Sequence, residues 1–360
     1  MKKKIKVLFV LAQLVGGGAE RVTINIMRLL DRNIFDIHLL VMCSDGPSFE
    51  YLPSDITLHD IKVSKTMFSI FKLRQKILQI SPDVIYSTLF RTHEALYFAL
   101  LNVQNRPIVV MRSQNSPKLL LQNKRMGLFS KFLLETAYKS ADLVLAQTPE
   151  MKDEIIKYHN INATKVHVLL NPLDTDNINA KIEKIENPFD PQRINVVAAG
   201  RLAKQKGFDI LIKSFKYVVE NNNQFFLHII GEDLGEKERL EQIVHELSLE
   251  NNVKFWDYQN NPYRFFFFSD LYVLSSRWEG MPNTVIENLY LRKPIVATNC
   301  IPYMNKLIQN GKNGFLVDVN DITALADAII NYNKITMEFP KPIETRYYVN
   351  DFFKSLGVKI

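Results

Sequence analysis

Cysteine is nearly missing from this chain: Cys43 and Cys300 are the only two in 360 residues. They stand far apart, have no neighbours at metal-ligand spacing and cannot build a disulfide framework, which excludes the small stapled scaffolds and fits a reducing cytoplasm. Long apolar runs are missing too. Residues 7–12 follow a Lys-rich start, but Gly16-Gly17-Gly18 and Glu20 come close behind, so the segment is too short to span a membrane and reads as the first strand of a sheet. No low-complexity tract or short-period repeat occurs. With 47% hydrophobic and 23% charged residues, the composition excludes a disordered or fibrous chain.

What is present is enough length for two cores, since 360 residues exceed what one hydrophobic core usually serves. Apolar runs at 5–11, 37–42, 84–86, 108–111, 143–146 and 166–169 read as buried strands with amphipathic stretches between several of them. After Asn171-Pro172 the pattern breaks into a polar stretch that ends at 187–191, then resumes at 194–199, 225–230, 253–256, 271–274 and 294–298. This alternation predicts an α/β protein of two Rossmann-like, doubly wound domains. The expected bounds are 1–175, a linker at 176–192, a second domain at 193–340 and a helical segment at 341–360 returning to the first domain.

Charge is unevenly spread: residues 1–175 hold 23 Lys and Arg against 15 Asp and Glu, the remainder 22 against 23. Between residues 112 and 139, Arg112, Lys118, Lys124, Arg125, Lys131 and Lys139 are interleaved with Leu119, Leu120, Leu121, Leu128, Phe129, Phe132 and Leu133, and opposed by Glu135 alone. Such a stretch can rest on an anionic membrane surface, or it can be a solvated helix face packed on its own domain.

In open parallel sheets, ligands sit at the carboxyl ends of strands beside helix N-termini. Gly17 and Gly18 follow the first strand and lead into a helical pattern, as either a tight turn or a phosphate loop; neither G-x-G-x-x-G nor a P-loop Lys is present. In the second half, Gly200-Arg201-Leu202 ends a strand, and Lys204, Lys206 and Gly207 precede a helix at 208–219. Arg201 by its planar fork and Lys206 as a compact charge suit a diphosphate and the charge that builds on a departing phosphate. The strand at 271–274 runs into Ser275-Ser276-Arg277-Trp278-Glu279-Gly280-Met281-Pro282-Asn283-Thr284-Val285-Ile286-Glu287. Asn283 is expected to cap a helix carrying Glu287 in its first turn, with Glu279 in the preceding loop, so that one carboxylate meets the transferred sugar and the other ribose hydroxyls.

In these segments, and in Pro294-Ile295-Val296-Ala297-Thr298 and Gly311-Lys312-Asn313-Gly314-Phe315-Leu316-Val317, the sequence resembles glycosyltransferase family 4 over nearly its whole length. The resemblance implies the GT-B fold, two Rossmann-like domains facing across a cleft. It implies a retaining, metal-independent transferase with no cofactor, moving a hexose or N-acetylhexosamine from a nucleotide-diphosphate sugar, expected to be a UDP-sugar, to a lipid-linked or saccharide acceptor in glycan biosynthesis. On that reading Arg201 and Lys206 grip the pyrophosphate, Glu287 the ribose and Glu279 the sugar, with Gly17, Gly18, Gly280, Met281, Asn283 and Thr284 around the donor. Retention follows from front-face attack assisted by the leaving phosphate, without a protein nucleophile. Family members often carry a His after a middle strand of the first domain. Here Met111-Arg112-Ser113-Gln114-Asn115 has none, which makes Arg112, Asn115 and His93 the candidates for orienting sugar or acceptor. The implied partners are the donor, the acceptor and, through residues 112–139, the inner face of a membrane; no nucleic acid is expected. Two alternatives stay open: a transferase with a soluble small acceptor, and a binding protein of the same fold without turnover.

Overall fold

The computed structural model describes residues 3–14, 17–43, 49, 51–63, 69–118, 127–339 and 345–357. Two compact units result, one formed by residues 1–174 with 344–360 and the other by 175–343. Of the basic stretch at 112–139, Leu119, Leu120, Leu121, Lys124 and Arg125 lie outside the described residues, as does Gly16.

The first unit runs β1 (Ile5–Leu11), α1 (Gly18–Leu29), β2 (Phe35–Val41), β3 (Thr57–Asp60), α2 (Ile70–Ile80), β4 (Val84–Thr88), α3 (Phe90–Ala99), β5 (Ile108–Arg112), α4 (Leu128–Ser140), β6 (Leu143–Ala146), α5 (Pro149–His159) and β7 (Val166–Val168). Its strands form one sheet in the order β3-β2-β1-β4-β5-β6-β7, every pairing parallel. Successive side chains of a strand point to opposite faces, and β1 divides accordingly. Leu8 and Val10 join the core beneath α2 and α3, while Val7, Phe9 and Leu11 join the one beneath α1. Both faces are covered, which is why the strands read as unbroken apolar runs.

The second unit runs α6 (Thr175–Ile182), β8 (Ile194–Ala199), α7 (Phe208–Asn221), β9 (Phe225–Ile230), α8 (Lys237–Glu246), β10 (Val253–Trp256), α9 (Tyr263–Phe268), β11 (Leu271–Leu274), α10 (Asn283–Tyr290), β12 (Ile295–Thr298), α11 (Met304–Leu307), β13 (Gly314–Val317) and α12 (Ile322–Ile330). The sheet order is β10-β9-β8-β11-β12-β13, again all parallel. The chain then returns to the first unit as α13 (Thr345–Gly357), whose Phe353 is fully buried against Phe9, Phe35 and Tyr86.

In each sheet the strand order reverses beside the first strand, between β1 and β4 and between β8 and β11. Those reversals are the topological switch points where doubly wound sheets bind ligands. Two expectations from sequence need correcting. Residues 176–192 are not a free linker: they contain α6, and Phe189 is buried with its ring 4.2 Å from that of His228. Strand β3, Thr-Leu-His-Asp, was not expected because an edge strand exposed on one side has no apolar run to reveal it. Among the described residues, no helix is long and apolar enough to cross a membrane.

Candidate active site

Strand β8 ends at Ala199, and the connection to α7 carries Gly200, Arg201 and a short turn at Lys204–Lys206 before Gly207. Gly207 has φ +65, and a Cβ there would sit 2.1 Å from the carbonyl oxygen of Ser275, so only glycine lets this turn lie against the end of β11. At Gly200 a Cβ would come within 2.7 Å of Lys206 Cε: the lysine stem lies across the glycine. The two glycines thereby set both the position of the turn and the path of the Lys206 side chain.

That path ends on a carboxylate. Lys206 Nζ lies 2.7 Å from Glu279 Oε1, and Ser276 Oγ donates to the same oxygen at 2.7 Å. Gln205 Nε2 donates to Trp278 O at 2.9 Å and reaches Glu279 Oε2 at 3.5 Å. The loop bearing Glu279 is fastened further by Arg277, which meets both oxygens of Asp209 at 2.9 Å and Lys204 O at 2.7 Å. Burial opposes ionisation of Asp209, but hydrogen bonds and charge from Arg277 outweigh it and hold the carboxyl below its usual range. Lys206 and Glu279 are mostly buried, whereas Arg201 stands exposed at the β8 edge.

The second carboxylate, Glu287, is 3% exposed. Helix α10 starts at Asn283 with Pro282 as its cap, so Asn283 is the first helical residue instead of the expected cap, and Glu287 lies one turn in. Tyr263 Oη donates to Glu287 Oε1 at 3.3 Å. In β11 Tyr272 is fully buried, and its hydroxyl is pushed well above its usual range by burial and, secondarily, by the charges of Glu287 and Glu279. Met281 is buried, while Gly280, Asn283 and Thr284 are half-buried around the start of α10. Cys300, after β12, is half-buried; desolvation, then the Glu279 charge, pushes its thiol up to about 12.

In the first unit, Gly17 precedes α1 and Gly18 opens it. The Gly17 N–H already donates to Glu20 Oε2 at 2.5 Å, so this helix start carries a carboxylate of its own. Of the three residues considered for orienting a sugar or acceptor, two are interior. His93 is 1% exposed, with Nε2 3.3 Å from Ser87 O, and burial lowers it to about 4. Arg112 is fully buried and donates to Leu169 O at 2.8 Å and to Asn171 Oδ1 at 2.6 Å, which fastens the chain after β7. Asn115 is exposed in the loop after β5. Among the described residues, no three His, Cys, Asp or Glu side chains converge to hold a metal ion.

Three participants escaped the sequence. Ser276 sits inside the motif but nothing in its spacing assigns it to Glu279; Gln205 is hidden between two lysines. Tyr263 has no local signal at all, because its partner is 24 residues away.

Comparison with known proteins gives the same answer from both halves. The model of glycosyltransferase family 4 matches residues 16–177, and that of glycosyl transferases group 1 matches residues 179–341. An uncharacterised glycosyltransferase of Methanocaldococcus jannaschii is 32% identical over 254 residues, 65% of this chain and about three fifths (60%) of that protein. An N-acetylgalactosaminyltransferase of Campylobacter jejuni named for a diphospho-undecaprenol-linked saccharide is 24% identical over 345 residues, covering 92% of this chain and 91% of its own. Among solved structures, Anabaena HepE in complex with UDP and glucose superposes with a TM-score of 0.79 at 19% identity, over 99% of this chain and 100% of that one. With two parallel doubly wound sheets, family matches through both units and relatives of this kind, the chain belongs to the family 4 glycosyltransferases of the GT-B fold.

Proposed function

We propose that this chain moves a hexose or N-acetylhexosamine from a UDP-sugar to a lipid-linked or saccharide acceptor, with retention of configuration and without a metal ion. The observation that carries this reading is the Lys206–Glu279 pair at the β8/β11 switch point, with Arg201 in the same connection. A fixed cation held against a hydroxyl-accepting carboxylate is what a sugar diphosphate needs at the bond that breaks. The C1–O bond opens with its electron pair passing to the β-phosphate, whose charge Arg201 and Lys206 neutralise. The acceptor hydroxyl oxygen bonds to C1 from the same face and its proton passes to the departing phosphate oxygen. Glu279 accepts from sugar hydroxyls, and Glu287 from the ribose. Support for UDP comes from HepE, solved with UDP and glucose, and for a lipid-linked acceptor from the Campylobacter relative.

On the acceptor side, α4 holds Phe129 at 73% and Phe132 at 63% exposure, with Lys131 between them and Lys139 in the last turn. Exposed aromatics flanked by lysines suit the boundary of an anionic bilayer, which brings the first unit to its lipid-linked acceptor.

The test is titration of the purified protein with UDP, GDP and ADP in excess chelator, followed by transfer to a polyprenyl-diphosphate-linked saccharide. Selective stabilisation by UDP is expected, about 2.7 kcal/mol at a hundredfold excess over Kd, and it should be lost in Arg201→Ala. An α-linked donor should give an α-linked product. Folded protein that no nucleoside diphosphate stabilises, or that yields the inverted product, would refute the reading.

A further inference from the structure

Glu287 projects from α10 into the interior at 3% exposure, where Tyr263 Oη donates to its Oε1 at 3.3 Å. Tyr263 is itself 4% exposed and is the first residue of α9. Its backbone N–H donates to Asn261 Oδ1 at 3.2 Å, and Asn261 Nδ2 donates to Lys181 O at 2.9 Å, which ties the start of α9 to α6. The ring packs edge-on against Phe266 at 6.1 Å, and Phe266 packs on the buried Tyr272 of β11 at 5.6 Å. A buried ring held on one side by packing and at its base by hydrogen bonds has one place for its hydroxyl. A carboxylate that must accept from two neighbouring ribose hydroxyls needs its plane held, and a fixed donor on one oxygen does this without occupying the other.

We propose that Tyr263 is a positioning residue for nucleotide recognition: its hydroxyl fixes the Glu287 carboxylate in the orientation that reads the ribose. This rests on the assignment of Glu287 to the ribose made above. It makes the stretch at 260–263 part of the donor site. The phenol donates to Glu287, and phenylalanine keeps the packing while removing that hydrogen bond.

The measurement is the affinity of the full chain for UDP and for 2′-deoxy-UDP, in the parent, Tyr263→Phe and Glu287→Gln. The parent should prefer UDP by about tenfold or more, the scale of a hydrogen bond to a charged group. In Tyr263→Phe that preference should fall to about two- or threefold through weaker UDP binding, with 2′-deoxy-UDP binding unchanged. A purely structural role would weaken both ligands by one factor and preserve the ratio, and that result would overturn the proposal. If Glu287→Gln abolishes the preference while Tyr263→Phe retains it, the positioning role alone is wrong. If the parent binds both nucleotides equally, or neither, the ribose assignment fails and the positioning role falls with it.

Discussion

Lys206 and Glu279 are 73 residues apart in sequence and 2.7 Å apart in space, mostly out of water. A charge held this way keeps its position without the reorganisation a solvated lysine requires, which is the source of electrostatic catalysis. Lys206→Met should therefore lower kcat/KM by roughly 10²–10³, about 2.7–4 kcal/mol, with UDP affinity reduced much less. Steady-state kinetics beside nucleotide titration separates the two. Gly207 supports the same turn from below. In Gly207→Ala the left-handed φ of +65 and the carbonyl 2.1 Å from the new methyl oppose folding together. A stability loss of at least about 1–3 kcal/mol is expected, read from the urea midpoint. The sequence placed this glycine and the cation beside it in the strand-to-helix connection, but the left-handed turn that demands glycine came only from the structure. The partner of that cation was not legible there, since no local pattern says which of two distant loops faces which.

At the scale of elements, α13 closes the first unit. Asn350 Oδ1 accepts from Asp31 N at 2.8 Å and its Nδ2 donates to Leu29 O at 2.8 Å, capping the end of α1 while Phe353 fills the aromatic cluster. Phe353→Ala should cost about 3–5 kcal/mol, measurable by chemical denaturation. Helix α4 behaves in the opposite sense. Phe129 and Phe132 contribute little to the core, so replacing both with Ser should leave unfolding unchanged within about 0.5 kcal/mol while reducing binding to anionic vesicles. Unchanged vesicle binding would return α4 to an ordinary solvated face. Helix α10 teaches a related lesson about boundaries: the motif identified Glu287, but Pro282 took the cap position expected of Asn283. Proline fixes its own φ and cannot donate within a helix, so it ends the loop more firmly than a side-chain cap starts the helix.

Across the whole molecule, desolvation lowers the pKa of four histidines, of which His93, His159 and His228 are fully interior and His59 is half-buried. In the first unit His93 and His159 are lowered to about 4, and in the second His228 to about 3. Each cause is chiefly desolvation; for His228 the hydrogen bonds agree, since Trp256 Nε1 donates to Nδ1 and leaves Nε2 to donate to Asn195 Oδ1. Because each folded pKa lies below the ordinary 6.5, the unfolded chain takes up protons first as pH falls. Their stabilising effect is complete above about pH 6.5 and is lost progressively toward pH 3–4, on the order of 2 kcal/mol per interior histidine by pH 5. Urea unfolding at pH 7.5 and 5 should show this loss, and His228→Asn should reduce the pH dependence of the second unit; a flat profile would contradict the burial of these rings.

The sequence by itself determined the α/β alternation, the two sheets and the motif that carries Glu279 and Glu287, because buried parallel strands and strand-to-helix turns write their requirements into neighbouring residues. Tertiary structure alone decided that Arg112 and His93 lie inside and that 176–192 is docked on the second unit. It also decided that Lys206 meets Glu279 and that Tyr263 meets Glu287. Those outcomes depend on which distant segments pack together, and the same polar residue is a ligand contact or a structural clamp according to what surrounds it.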